Sequence, residues 1–144
     1  MLPSYSIVPG VGVPGAHFGE MRAIHQARLG SRTSFERVPG SGVVDAYFDV
    51  TLMLSYDEED RLREIEIGGA DTFVEGVQLL DRPLSEVIDD LRRSAINPEF
   101  VADLAFELPG LGIYLMTPAP EELEVPVESV SIRPLNSIKG SVQA

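Results

Sequence analysis

Residues 7–13, IVPGVGV, return in outline 66 positions later as residues 73–79, FVEGVQL: Val8 aligns with Val74, Gly10 with Gly76 and Val11 with Val77. Either the first stretch is a nucleotide-binding loop with a lookalike, or both are one turn in a duplicated unit. GVGVPG places Gly10, Gly12 and Gly15 in a literal G-x-G-x-x-G. Such glycines let backbone amides approach a pyrophosphate at a helix N-terminus. Pro9 and Pro14, however, remove two N–H groups where a phosphate cradle needs donors. The segments that follow read as hairpins, with links too short to be the crossover helices of a dinucleotide-binding sheet. The counterpart GVQLLD, residues 76–81, keeps only one of the glycines. A structural turn shared by two repeats accounts for both stretches.

Working outward, LSEVIDDLRRSA (84–95) places Leu84, Val87, Ile88 and Leu91 at helical spacing with Asp89, Asp90, Arg92 and Arg93 opposite. Asp81 is the expected N-cap, Pro83 suits the first turn, and Pro98 lies beyond the end. Shifted back by 66, HFGEMRAIHQARLG (17–30) predicts a second helix. There Met21, Ile24, His25 and Leu29 share the expected inward face, Glu20 aligns with Glu86, and Gly30 is the stop.

After each helix the hydrophobic period changes to two. SFERV (34–38), AYFDVTLMLSY (46–56) and LREIEIG (62–68) read as strands, with DEED (57–60) as the turn between the last two. FVADLAFEL (100–108), LGIYLMT (111–117) and VESVSIR (127–133) follow in the second half. LMLSY and IYLMT correspond at an offset of 61, EIEI and SVSI at 65, as duplication with drift would leave them. The expectation is therefore an α+β chain: two tandem strand-helix-antiparallel-strand units forming a sheet with both helices on one face. Residues 1–134 read as a single domain built from two repeats, about 5–69 and 71–134, with 135–144 a flexible tail.

The stretch FGEMRAIHQARLG carries a second pattern, with Gly19, Leu29 and Gly30 bracketing the helix. It resembles the "G-M-T…V…L-G-x-P" opening of the SmpA/OmlA proteins and of the β-lactamase-inhibitory-protein family. Glu20 stands where that pattern has Met, His25 where it has an aliphatic residue, and Ser31-Arg32 follow Gly30 where it has a nearby proline. The resemblance covers about 50 residues of the first half. Strand-helix-sheet units of this kind also occur in bacterial immunity-type proteins that neutralise toxins. What the resemblance implies is a small scaffold that binds other proteins. The inhibitory-protein family has two such units in tandem, is secreted and carries disulfides; the cysteine-free chain, read as lacking a leader, departs from it in the last two respects.

Charge narrows the classes further. Eleven Lys and Arg against 23 Asp and Glu give a net charge of −12. That excess argues against nucleic acid, whose backbone is bound by clustered cations, and for a basic protein partner. No run of about 18 apolar residues suggests a membrane span, and the opening residues carry no basic-then-apolar leader, so a cytoplasmic location is expected. There is no cysteine, hence no thiolate chemistry.

His17 and His25 are the only imidazoles. With Glu20 or Glu36 they could form a metal site, but a loop histidine and a packed helix histidine explain them better. No G-x-S-x-G elbow or Walker loop is present, and Asp57, Glu58, Glu59 and Asp60 lack the spacing of a calcium loop. No catalytic residue, cofactor or metal is expected. Tyr5, Phe18, Phe35, Tyr47, Phe48 and Phe73 fall where a core or sheet would take them. Asp45 and Asp49, four apart within an expected strand, should point to one face. The functional expectation is a non-enzymatic protein-binding domain, immunity-like or inhibitor-like, monomeric or homodimeric. Its contacts would be Asp45, Asp49, Glu64 and Glu66 on the sheet face away from the helices. Residues 57–60 (Asp57, Glu58, Glu59, Asp60) would be a rim that steers encounter. The alternative is a small-molecule-binding domain or weak enzyme with a pocket near His17 and His25.

Overall fold

A computed structural model describes residues 3–101, 105–117 and 122–135. The chain runs β1 (Ser4–Ser6), β2 (Gly12–Val13), β3 (Ala16–His17), α1 (Arg22–Leu29), β4 (Thr33–Phe35), β5 (Val44–Tyr47), β6 (Leu52–Tyr56) and β7 (Leu62–Ile67). It continues with β8 (Asp71–Val74), β9 (Val77–Gln78), α2 (Leu84–Arg93), β10 (Glu99–Val101), β11 (Ala105–Leu108), β12 (Ile113–Met116) and β13 (Ser129–Ile132).

Eight strands form one antiparallel sheet in the order β10-β11-β12-β13-β7-β6-β5-β4. The meanders β4–β7 and β10–β13 meet where β13 pairs with β7, Val130 opposite Ile67 and Ile132 opposite Ile65. This corrects the expected α+β architecture of two tandem strand-helix-antiparallel-strand units. The described residues hold 13 strands and two α-helices of 8 and 10 residues, so the protein is mostly β. The strand expected to open the first unit does not enter the main sheet. β1 pairs in parallel with β8 in a separate sheet, β1-β8-β9, and residues 12–17 form the small β2–β3 hairpin.

The glycine-rich stretch is this hairpin and its approach. Val8 bridges Gly12, and Gly10 and Gly12 have φ of 80° and 131°. A Cβ on Gly12 would sit 2.3 Å from the Ala16 carbonyl oxygen, so the position requires glycine for hairpin closure. The lookalike is the β8–β9 turn, with Glu75 and Gly76 both at positive φ.

AYFDVTLMLSY is not one strand. It folds back on itself as β5, a 3-10 turn at Phe48–Val50, and β6, with Thr51 in the left-handed region. The alternation of Phe48, Asp49 and Val50 imitates a strand, but Tyr47 pairs with Leu52 across the turn. FVADLAFEL likewise contributes two strands, β10 and β11; residues 102–104 lie outside the described residues, as does the expected tail beyond Leu135.

Pleating sorts the sheet's side chains. Tyr47, Leu52, Leu54, Ile65, Ile67, Val130, Ile132, Ile113 and Leu115 are all buried in one core with Leu84, Val87, Ile88 and Leu91 of α2 and Tyr5, Ile7 and Val74 of the small sheet. Four buried aliphatics anchor α2, each contributing about 1.5–3 kcal/mol of burial. Asp81 does not cap this helix: Pro83 is the N-cap, without a side-chain cap. The first amides instead donate to the backbone, Leu84 to the Val125 carbonyl and Ser85 to the Leu123 carbonyl.

Candidate interaction site

Asp45 sits in β5 opposite Leu54, which puts it on the core face and not on the face away from the helices. Its side chain is fully buried. A buried carboxylate must find partners, and α1 supplies them. Arg22 Nε and Nη2 each donate at 2.8 Å, one to each carboxylate oxygen, and the Ser34 hydroxyl donates at 2.6 Å. Burial raises the Asp45 pKa, but Arg22 and Ser34 outweigh it and hold the carboxyl below the usual range. Asp45 is therefore spent inside the fold and is withdrawn as a partner contact. Asp49 does not share its face, because it lies on the exposed 3-10 turn beside Phe48. Phe48 itself is 68% exposed, contrary to the core or sheet role expected of it.

The second anchor of α1 is His25, fully buried. Its Nε2 lies 3.0 Å from Glu20 Oε1 and its Nδ1 2.9 Å from the Tyr56 hydroxyl. Glu20 only accepts, so Nε2–H donates to it, and Nδ1 is paired with the Tyr56 hydroxyl. Glu20 also accepts the His17 backbone N–H at 2.8 Å. Burial pushes the Tyr56 phenol well up. For Glu20, burial raises the pKa, but the hydrogen bonds from His17 and His25 and the nearby Arg28 bring it below the usual value.

With both ring nitrogens engaged, His25 offers no lone pair to a ligand. His17 is exposed on β3, whereas His25 is fully buried, so the two imidazoles stand in different surroundings. Among the described residues no group of three His, Cys, Asp or Glu side chains is placed to hold a metal ion.

These pairings rotate α1 away from its expected orientation. Met21 and Ile24, assigned to the inward stripe, are 38% and 43% exposed, while Arg22, His25, Gln26 and Leu29 turn toward the sheet. The apolar pattern alone does not reveal this, because the deciding partners lie on β5 and β6. One signal was available: an aspartate inside the apolar run VVDAYF calls for an internal cation.

Glu64 and Glu66 do lie on the sheet's second face, opposite Ser55 and Met53. Across β13, β12, β11 and β10 this face forms a cleft of about 330 Å3, lined beside the two glutamates by Val101, Ala105, Tyr114, Met116 and Arg133. Each glutamate already has a cation: Arg37 reaches Glu66 at 2.9 Å, and Arg133 Nε lies 3.5 Å from Glu64. The Ser131 hydroxyl also donates to Glu64 at 2.7 Å, and the Arg133 guanidinium stacks over Tyr114 at 4.9 Å.

The turn at 57–60 lies between β6 and β7 as expected, and all four residues are exposed. Asp57 organises it by accepting the backbone N–H groups of Glu59 and Arg61 at 2.8 and 3.0 Å. The Arg61 amide is the main cause holding this carboxyl below its ordinary value. Glu58, Glu59 and Asp60 form no ion pair among the described residues. The turn borders a cleft of about 520 Å3 lined also by Gly40, Ser41, Gly42, Tyr56 and Arg63. No helix of the described residues is long and apolar enough to cross a membrane.

No family model matches the chain, and no curated protein matches it. Among solved structures it is similar to the uncharacterized protein yfeY from Escherichia coli, with a TM-score of 0.50 and 14% identity. The match covers 92% of this chain and 99% of that chain, and at this identity it bears on the fold alone.

Proposed function

We propose that the chain is a non-enzymatic protein-binding domain of immunity or inhibitor type that engages a basic partner through its acidic surface. One observation carries the reading. Six of the ten arginines, at 22, 28, 37, 82, 93 and 133, form ion pairs, while Glu58, Glu59 and Asp60 stand exposed at the rim with no ion pair among the described residues. A concentrated charge of one sign steers an oppositely charged partner and adds more to on-rate than to affinity. The rim borders the cleft lined by Gly40, Ser41, Gly42, Tyr56 and Arg63, and the second sheet face offers a further cleft with Tyr114 and Met116 as apolar contacts. Hydroxyls near carboxylate or imidazole, such as Ser34 on Asp45, Ser131 on Glu64 and Tyr56 on His25, serve internal hydrogen bonds, which favours binding over catalysis. Without cysteine the domain needs no oxidising compartment, and a cytoplasmic location fits.

The test is affinity capture from the native cell on two columns, one carrying the wild-type protein and one the variant with Asp57, Glu58, Glu59 and Asp60 replaced by Ser. A basic protein retained by the wild type to high salt and released early from the variant supports the proposal. An empty wild-type column, or identical retention on both, sinks it.

A further inference from the structure

A helix laid on a sheet normally turns its apolar stripe inward. α1 is built the other way round. Its inward residues are Arg22, His25, Gln26 and Leu29, and its outward ones are Ala23, Ile24, Ala27 and Arg28, with the N-cap Met21 exposed just before them. The internal demand of Asp45 and Tyr56 explains why the polar side faces in. It does not explain why the solvent side carries apolar residues, where Lys, Glu or Gln would serve an isolated surface equally well.

The outward stripe is not isolated. The Arg22 N–H donates to the Asp60 carbonyl at 2.9 Å, and Met21 bridges Arg61 antiparallel. The N-terminal end of the stripe therefore abuts the turn bearing the exposed carboxylates of Glu58, Glu59 and Asp60. Met21, the extended N-cap residue, and Ile24 in the first turn are both exposed, so the surface is an apolar patch with an acidic border at one end and Arg28, which lies 3.6 Å from Glu20, at the other.

We infer that this outward stripe of α1 and the acidic turn at 57–60 form one docking surface for a cationic amphipathic segment of a protein partner. The segment's apolar side chains cover Met21 and Ile24, and its Lys or Arg residues meet Glu58, Glu59 and Asp60. Charge complementarity selects this occupant. An anionic lipid surface is repelled by the rim, and a second copy of the chain in an isologous contact would bring like-charged rims together. The inference rests on the reading that the chain binds a basic protein, and it names which surface does so first.

The probe is an 18-residue amphipathic Leu/Lys helical peptide with one Trp. The protein itself has no Trp, so peptide fluorescence gives the affinity directly. Amide chemical shifts of the labelled protein give the location. The expected result is saturable binding with shifts at residues 20–29 and 57–61. Ile24→Ser should weaken binding about fivefold through lost apolar contact, and the rim variant should weaken it further at low salt. Ile24 is exposed, so the substitution leaves the core intact, and far-UV circular dichroism verifies this.

Binding that is unchanged by Ile24→Ser but abolished in the rim variant means bare electrostatics and overturns the inference. Shifts confined to β7, β12 and β13 overturn it too, while leaving the basic-partner reading standing. No binding of the cationic peptide at all counts against both.

Discussion

Removing the Asp45 carboxylate tests how α1 is held. The side chain is fully buried and is met by two Arg22 nitrogens at 2.8 Å and by the Ser34 hydroxyl at 2.6 Å. Truncating one partner of a buried ion pair costs about 3–5 kcal/mol, because the other charge is left without compensation. The Arg22 side chain is 23% exposed and regains some water, so Asp45→Ala falls at the lower end, about 3 kcal/mol. The double replacement Asp45→Leu with Arg22→Met removes both charges and should lie within about 1 kcal/mol of wild type. Urea unfolding at constant m measures both. The pH dependence follows from the lowered Asp45 pKa. Its contribution is fully present above the unfolded carboxylate value, about 3.9, and is lost as pH falls through the folded value. Wild-type stability should therefore decline below about pH 4 more steeply than that of Asp45→Asn. A loss under about 1 kcal/mol for Asp45→Ala, or parallel acid limbs, would refute the polar anchoring of α1.

Other consequences are checked by the same unfolding assay. Leu91→Ala, at a fully buried α2 position, should cost about 2–5 kcal/mol, whereas Leu29→Ala on the half-buried end of α1 should cost clearly less. Gly12→Ala drives a Cβ to 2.3 Å from the Ala16 carbonyl and should lose at least about 2 kcal/mol; neither ATP nor NAD should shift the melting temperature of the wild type, and a saturable shift would revive the phosphate-loop reading. Thr51 combines a φ of 58° with a buried hydroxyl that has no partner among the described residues, so Thr51→Gly should stabilise by roughly 1 kcal/mol; a loss would mean that the hydroxyl has a partner in solution.

Local chemistry was legible where one element decided the outcome. The α2 stripe from Leu84 to Leu91 is buried as its spacing demands, and DEED turns the β6–β7 hairpin because its flanks alternate. The orientation of α1 was not legible, since it depends on a pairing between Arg22 and Asp45, 23 residues apart. A short apolar run before a helix also reads the same whether it joins the main sheet or, like β1, pairs with β8 elsewhere. That ambiguity, together with the turn hidden in AYFDVTLMLSY, makes the chain mostly β where α+β was expected. Glu64 and Glu66 were placed on the second face, but their neutralisation by Arg133 and Arg37 comes from segments distant in sequence.

The most direct test of the central claim is the association rate of the captured basic partner with wild type and with the rim variant, across salt concentration in stopped flow. The account predicts that replacing Asp57, Glu58, Glu59 and Asp60 by Ser slows association about tenfold at low salt. The two rates should converge above about 0.5 M, where the screening length is shorter than the rim. Equal rates at every salt concentration would contradict it.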